Sequence, residues 1–247
     1  MTFSEGMQID TSTTSTGGGG VGRGIAIGGG VGGLVIVMLA LFLGVDPGQV
    51  ISQQPIQAQT QSGPGVDLSK CKTGADANKY VDCRVVATGN SVDGVWEQLL
   101  RGYSRPKMML FKGSVQTGCG PATSDVGPFY CPVDKTAYFD TDFFAVLKNQ
   151  FGSSGGPLAQ EYVVAHEYGH HVQNLLGVLG RAQQGAQGAT GNGVRTELQA
   201  DCYAGVWAHY AAITKQPGTN VTYLEPLSDK DIADALSNCI LRDGTGK

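Results

Sequence analysis

The sequence predicts an α+β fold, mostly helical with a small β-sheet, preceded by one transmembrane helix. Three observations support this prediction: an uncharged apolar stretch near the N-terminus, several later segments with helical periodicity, and only two short strand-like segments. The chain has 247 residues, which suffices for one ordinary domain and additional segments.

The first 69 residues divide into three regions by composition. Residues 1–24 are polar and rich in Thr, Ser and Gly, which predicts a disordered cytoplasmic N-terminus. Residues 25–45 carry no charge and would form a helix about 30 Å long, enough to cross a bilayer core. A cleaved signal segment or a buried core helix is the alternative. Residues 46–69, rich in Gln, Pro, Gly and Ser, are predicted to be a flexible linker.

Cysteine usage and charge indicate the compartment and exclude one class of partner. Arg23 before the apolar stretch favours a cytoplasmic N-terminus and an extracytoplasmic main domain. All the cysteines follow that stretch, which favours disulfides over free thiols. Local spacing favours two pairs and leaves a third, although six cysteines allow 15 connectivities: Cys71–Cys83, Cys119–Cys131 and Cys202–Cys239. With 17 Lys+Arg against 21 Asp+Glu and no long basic run, no nucleic-acid partner is expected.

Residues 70–247 are predicted to form the main domain. Apolar periodicity and capping residues predict helices over 91–103, 140–151, 158–176, 194–212 and 228–241, with Ser91 and Ser228 as caps. Strands are expected over 107–115 and 136–140, and the Gly-rich residues 185–193 are expected to form a loop.

The segment His166-Glu167-Tyr168-Gly169-His170 indicates a metal site. Residues four apart on an α-helix point in nearly the same direction, so His166 and His170 can offer two ring nitrogens to one Zn²⁺. Glu167 lies beside the metal without binding it and can take a proton from zinc-bound water. A pair of core histidines is the alternative. His171 points about 100° away from His170 and is predicted to be structural.

A second pair of residues can complete such a site. Glu197 and Asp201 are four residues apart on a later helix. This spacing suits one carboxylate that binds the metal and a second that holds a ligand histidine by its other ring N–H. Neighbouring small and apolar residues predict that this face is buried, where carboxylates require a partner.

Four segments together resemble the "putative neutral zinc metallopeptidases" of bacteria, within the gluzincin group. They are DANKYVDCRVVATGNSVDGVW, TGCGPATSDVGPFYCPVDKTAYFD, VVAHEYGHHVQNLLG and ELQADCYAGVWAH, and the resemblance covers nearly all of residues 70–212. It implies a zincin-like catalytic domain, one Zn²⁺ per chain held by His166, His170 and Glu197, and Glu167 as the base. It also implies a secreted or membrane-anchored location.

The resulting hypothesis is a membrane-anchored, single-pass zinc peptidase that hydrolyses peptide or protein substrates. Strand 107–115 is expected to be a sheet edge that pairs with extended substrate. Family members usually continue into a His-Gly-Thr-Ser-Ala-Gln-Arg-like stretch, which this sequence does not contain. The alternative is therefore a catalytically inactive zincin-like binding module of the cell envelope. A disulfide-stapled structural protein without metal is a further rival.

Overall fold

The computed structural model describes residues 3–17, 66–145, 155–185, 188 and 190–233. The α+β prediction is confirmed within these ranges. The helices are α1 (Gly74–Lys79), α2 (Val81–Leu99), α3 (Pro157–Leu175) and α4 (Asn192–Ala211), with 3₁₀ turns at Ser124–Val126 and Leu179–Gln183. The strands are β1 (Thr14–Gly17), β2 (Lys107–Phe111), β3 (Ser114–Thr117), β4 (Gly120–Thr123), β5 (Phe129–Cys131) and β6 (Thr136–Asp140).

A four-stranded sheet packs beside the helices in the order β1-β2-β6-β5. Strands β1, β2 and β6 are parallel, whereas β5 runs antiparallel to β6. Strands β3 and β4 form a separate antiparallel hairpin. Because β2 lies between β1 and β6, the expectation that 107–115 is a sheet edge is wrong. The strand ends at Phe111, and the edge beyond β6 is formed by β5.

The helices that carry the metal-site motifs agree with prediction, whereas the first long helix does not. Helices α3 and α4 each lie within two residues of the predicted ranges 158–176 and 194–212. Helix α2 begins ten residues before the predicted start at 91, and it is buried from Cys83 through Trp96. Because a helix that is buried on all sides has no amphipathic stripe, its start cannot be recognised from the sequence pattern. Ser91 therefore lies inside the helix, where it accepts a hydrogen bond from Trp207 Nε1 at 2.9 Å.

The remaining predicted elements fall partly outside the described residues. Residues 229–233 are helical, and the predicted cap at Ser228 is confirmed because its Oγ accepts the Asp231 N–H at 3.2 Å. Residues 143–145 are helical too. Residues 146–151 and 234–241 of the two predicted helices lie outside the described ranges. Of the predicted loop 185–193, the described residues before α4 are non-helical.

The N-terminal residues 3–17 are an integral part of the fold. Phe3 and Met7 are 1% and 0% exposed in the main core, and β1 extends the sheet by pairing with β2. The prediction of a disordered N-terminus over 1–24 is therefore wrong for residues 3–17. Residues 18–24 lie outside the described ranges. Val66, near the C-terminal end of the predicted linker 46–69, is 7% exposed and is therefore part of the core.

Two asparagine side chains attach this N-terminal segment to the helices. Asn78 Oδ1 accepts the Phe3 N–H at 2.8 Å, and Asn78 Nδ2 donates to the Phe3 carbonyl at 3.0 Å. Asn90 makes the same pair of bonds to the backbone of Asp10, at 2.7 and 2.9 Å. Each amide thus bonds to both the N–H and the carbonyl of one residue, as a neighbouring β-strand would. The two asparagines fix the segment along α1 and α2.

The predicted single-pass membrane arrangement is contradicted. No helix within the described residues is long and apolar enough to cross a membrane. The apolar stretch 25–45 lies outside the described residues. In addition, Phe3 bridges to Leu224 and β1 pairs with β2, so residues before and after the apolar stretch share one core.

Two of the three expected disulfides are present. Cys71–Cys83 links the segment before α1 to α2, and Cys119–Cys131 links the β3–β4 hairpin to β5. Disulfides are typical of proteins outside the cytoplasm. Cys202 forms no disulfide among the described residues and is exposed on α4, so its predicted pairing stays a prediction. Its predicted partner Cys239 lies outside the described ranges.

Truncating Phe3 tests whether the N-terminal segment belongs to the core. Phe3→Ala should lower the free energy of unfolding by about 3–5 kcal/mol, because it removes a large side chain that is 1% exposed. Chemical denaturation of the full chain measures the loss. Glu5→Ala, an exposed neighbour, should change stability by no more than about 0.5 kcal/mol. Equal, small effects of both variants would show that the segment does not pack as described.

Candidate metal centre

Helix α3 presents two histidines in one direction. The helix begins with Pro157 at its first position, where the missing N–H costs nothing, and its apolar face is buried in the core. His166 and His170 are one turn apart, and their ring centroids are 4.8 Å from each other. The side chain of His166 is 8% exposed and that of His170 is 14% exposed. The predicted helical spacing therefore produces the predicted proximity.

Helix α4 brings a carboxylate to the same point. Glu197 Oε2 lies 3.2 Å from His166 Nε2 and 3.4 Å from His170 Nε2. One ligand atom from each of these three residues falls within 4.8 Å of the others. The side chain of Glu197 is 22% exposed, so the cluster has one side open to solvent. The three residues expected to meet do meet, although they come from two helices separated along the chain.

Gly169 permits this approach of the two helices. A Cβ at this position would lie 2.9 Å from the carbonyl oxygen and 3.3 Å from the Cβ of Ala200 on α4. A side chain at residue 169 would therefore push α4 away from α3 and with it Glu197. The cost of about 1 kcal/mol for a glycine inside a helix is offset by the contact it allows.

The charges around the cluster favour a bound cation. Burial would lower the pKa of His166, but hydrogen bonds to Asp201 and Glu197 outweigh it and raise the pKa to about 10. Burial would raise the pKa of Glu197, but its hydrogen bonds to His166 and His170 hold that pKa well below the ordinary value. Two ring nitrogens, one carboxylate oxygen and an open side match the donor set of a catalytic zinc site. The residues present therefore fit this metal.

Asp201 supports His166 from behind, in the position expected for it. Its Oδ1 accepts the His166 Nδ1–H at 2.8 Å, which leaves Nε2 directed at the cluster. The same oxygen accepts the hydroxyl of Tyr162 at 2.5 Å. Tyr162 precedes His166 by one helical turn, so its reach to Asp201 could have been inferred from spacing, but tyrosine is not a usual sequence signal for a metal site. The sequence patterns therefore did not predict the contact of Tyr162 with Asp201.

Glu167 lies next to the cluster and is 8% exposed. Burial raises the pKa of this carboxyl above its ordinary value, against the lowering effect of His166 and His170. A backbone hydrogen bond from Tyr130 in β5 lowers the pKa as well. A carboxylate whose proton affinity is raised in this way is suited to accepting a proton and releasing it again. The contact also places β5 beside the cluster.

His171 anchors β5 to α3, in agreement with its predicted structural role. Its Nε2–H donates to the carbonyl of Ser104 at 2.7 Å, which can only accept, so Nδ1 accepts the Tyr130 hydroxyl at 2.9 Å. Asn174 Nδ2 donates to that hydroxyl at 3.0 Å. The hydroxyl of Tyr130 is thus committed to holding the strand and is not free to serve a reaction.

Removing that hydroxyl tests the anchor. Tyr130→Phe should lower the free energy of unfolding by about 1–3 kcal/mol, because it leaves the buried His171 Nδ1 without a donor. Thermal and chemical denaturation measure the change. Tyr210→Phe, an exposed tyrosine on α4, should change stability by about 0.5 kcal/mol or less. A Tyr130→Phe variant as stable as the wild type would contradict the anchoring role.

Comparison with known proteins identifies relatives and a family. The chain is 75% identical over 237 residues to uncharacterized proteins of Mycobacterium tuberculosis and Mycobacterium bovis, covering 96% of this chain and 81% of each relative. It is 39% identical over 181 residues to the uncharacterized protein YpfJ of Escherichia coli, covering 71% of this chain and 61% of YpfJ. No solved structure gives a significant match. A family model matches residues 4–240, so the chain belongs to the family described as "Putative neutral zinc metallopeptidase".

Proposed function

We propose that this protein is a zinc-dependent peptidase in which His166, His170 and Glu197 hold the metal and Glu167 is the general base. The observation that carries the proposal is the convergence of the two Nε2 atoms and Glu197 Oε2 beside a buried carboxylate. The zinc metallopeptidase family of the chain supports the choice of metal and of peptide or protein substrates.

The chemistry follows from the positions of the side chains. Zinc bound at this cluster would lower the pKa of a bound water towards about 7 and polarise the substrate carbonyl. Glu167 would take the proton of the attacking water and deliver it to the amine that leaves when the peptide bond breaks. Its position beside the cluster, in a site where it is 8% exposed, supports this double role.

The edge strand β5 is the proposed docking element for an extended substrate. It pairs with β6 on one side, and within the described sheet it has no neighbour on the other. Its backbone lies next to Glu167, and Tyr130 fixes it to α3. An extended peptide can add to such an edge through main-chain hydrogen bonds. This role replaces the one expected of strand 107–115.

The Glu167→Gln and Glu197→Ala variants separate metal binding from catalysis. Zinc content and hydrolysis of an unfolded labelled protein such as casein are measured on the full chain. Wild type should hold about one zinc per chain. Glu167→Gln should keep the metal and lose at least about 100-fold in turnover. Glu197→Ala should lose most of the metal, because one of its three protein ligands is gone.

Glu225→Gln is the matched control, because Glu225 is an exposed carboxylate that is not part of the cluster. It should match wild type in zinc content and turnover. A wild-type chain without zinc would refute the proposed site. Zinc without turnover in wild type would instead favour a binding module built on the same cluster, and undiminished turnover in Glu167→Gln would remove Glu167 from the mechanism.

Removal of the metal should also destabilise the fold. A ligand present at 100 times its dissociation constant stabilises the folded state by about 2.7 kcal/mol, and about 2–4 °C in Tm accompanies each kcal/mol in a domain of this size. Chelation should therefore lower the Tm by several degrees, and added zinc should restore it. Glu197→Ala should show little response to the chelator, and a wild-type Tm that ignores it would contradict the site.

A further inference from the structure

The side chain of Gln173 is buried at 0% exposure, one turn beyond His170 on α3. Its Oε1 lies 2.9 Å from His170 Nδ1. Its Nε2 donates to the backbone carbonyl of Thr196 at 2.6 Å and to Gln199 Oε1 at 3.0 Å. The buried amide therefore has three partners, one of them a proposed metal ligand. Sequence reasoning did not single it out.

These contacts fix the orientation of the amide. The Thr196 carbonyl can only accept a hydrogen bond, so the nitrogen of Gln173 must face it. The opposite orientation would place two oxygens 2.6 Å apart in a buried site without a proton between them. Oε1 is consequently the atom that faces His170.

The fixed amide in turn fixes the form of His170. A carbonyl oxygen accepts only, so the hydrogen must be on His170 Nδ1. In the neutral ring this leaves the lone pair on Nε2, the nitrogen that lies 3.4 Å from Glu197 Oε2. That tautomer is the one that the proposed zinc site requires, because ligand histidines are oriented by the bond made through the other ring nitrogen.

The amide also connects the two helices that supply ligands. Thr196 immediately precedes Glu197, so Gln173 bonds at once to a ligand on α3 and to the backbone that carries the ligand on α4. His166 is held by the carboxylate of Asp201, whereas His170 is held by a neutral amide. A neutral partner supplies the acceptor without adding a further negative charge to a buried site that already contains Glu167 and Glu197.

We propose that Gln173 is a positioning residue for the metal site: it sets the tautomer of His170 and the distance between His170 and Glu197. This inference rests on the proposed function, since the lone pair it prepares is the one that would bind zinc. Gln173 itself contacts neither the metal nor the substrate.

The Gln173→Met variant tests the role with little change in volume. It should weaken zinc binding by about 10–100-fold, measured by competition with a chromophoric chelator on the full chain. Gln160→Met is the matched control: it removes an amide from the same helix, but one that bonds to Arg84 and the Gly155 carbonyl. Its zinc affinity should stay within about twofold of wild type, whatever its stability. An unchanged zinc affinity in Gln173→Met would overturn the proposal.

A second measurement needs no variant and stands if Gln173→Met does not fold. Proton–nitrogen NMR of zinc-free wild type, at a pH where the ring is neutral, should show His170 with a slowly exchanging hydrogen on Nδ1 and none on Nε2. A ring with its hydrogen on Nε2 would overturn the proposal. The two ideas fail separately: wild type that binds no zinc refutes the proposed function, whereas zinc-binding wild type with the opposite tautomer refutes only the role of Gln173.

Discussion

The close contact between Gly169 and Ala200 is the constraint on which the candidate site depends. It sets the spacing of α3 and α4 at the level of the cluster, because a Cβ on residue 169 would meet the backbone of α4 at 2.9 Å. Every polar contact across this interface needs that spacing: Glu197 reaches both histidines, Asp201 reaches His166, and Gln173 reaches the Thr196 carbonyl. A ligand bond tolerates an error of only a few tenths of an ångström, so separating the helices by the thickness of one methyl group would undo the site.

The N-terminal residues 3–17 pack into the same core as α3 and α4, the two helices that carry the candidate cluster. Residues 3–17 supply Phe3, Met7 and an outer strand, and they are fixed by hydrogen bonds from Asn78 and Asn90. These asparagines would otherwise be buried or half-buried amides without partners, which is costly. The N-terminal segment thus stabilises α1 and α2 as much as they stabilise it. Because α2 packs against both α3 and α4, the segment supports the two helices that carry the candidate cluster.

The residues of the candidate cluster could be predicted from the sequence because their relation is local. His166 with His170, and Glu197 with Asp201, each lie one turn apart, and helical periodicity alone determines which way they point. Helical periodicity could not predict the features that depend on contacts between distant parts of the chain. The strand order that puts β5 rather than β2 at the edge, and the return of residues 3–17 to the core, are set by contacts between distant parts of the chain. The polar composition of the N-terminal segment suggested disorder, because its apolar anchors are few and its backbone is satisfied by side chains far along the sequence.

Three histidines within six residues take three different environments, and helix geometry explains why. His166 and His170 share a face and meet Glu197, but their outer nitrogens lie against different partners, a carboxylate and an amide. His171, rotated about 100° from His170, faces the sheet instead, where burial lowers its pKa and the Ser104 carbonyl fixes its tautomer. It holds the strand that runs past Glu167. The one helical turn from residue 167 to residue 171 therefore connects the proposed base, a proposed metal ligand and the anchor of the strand proposed to bind substrate. A displacement of α3 along its axis would disturb all three together, which makes the anchoring of this helix a requirement for the chemistry as well as for the fold.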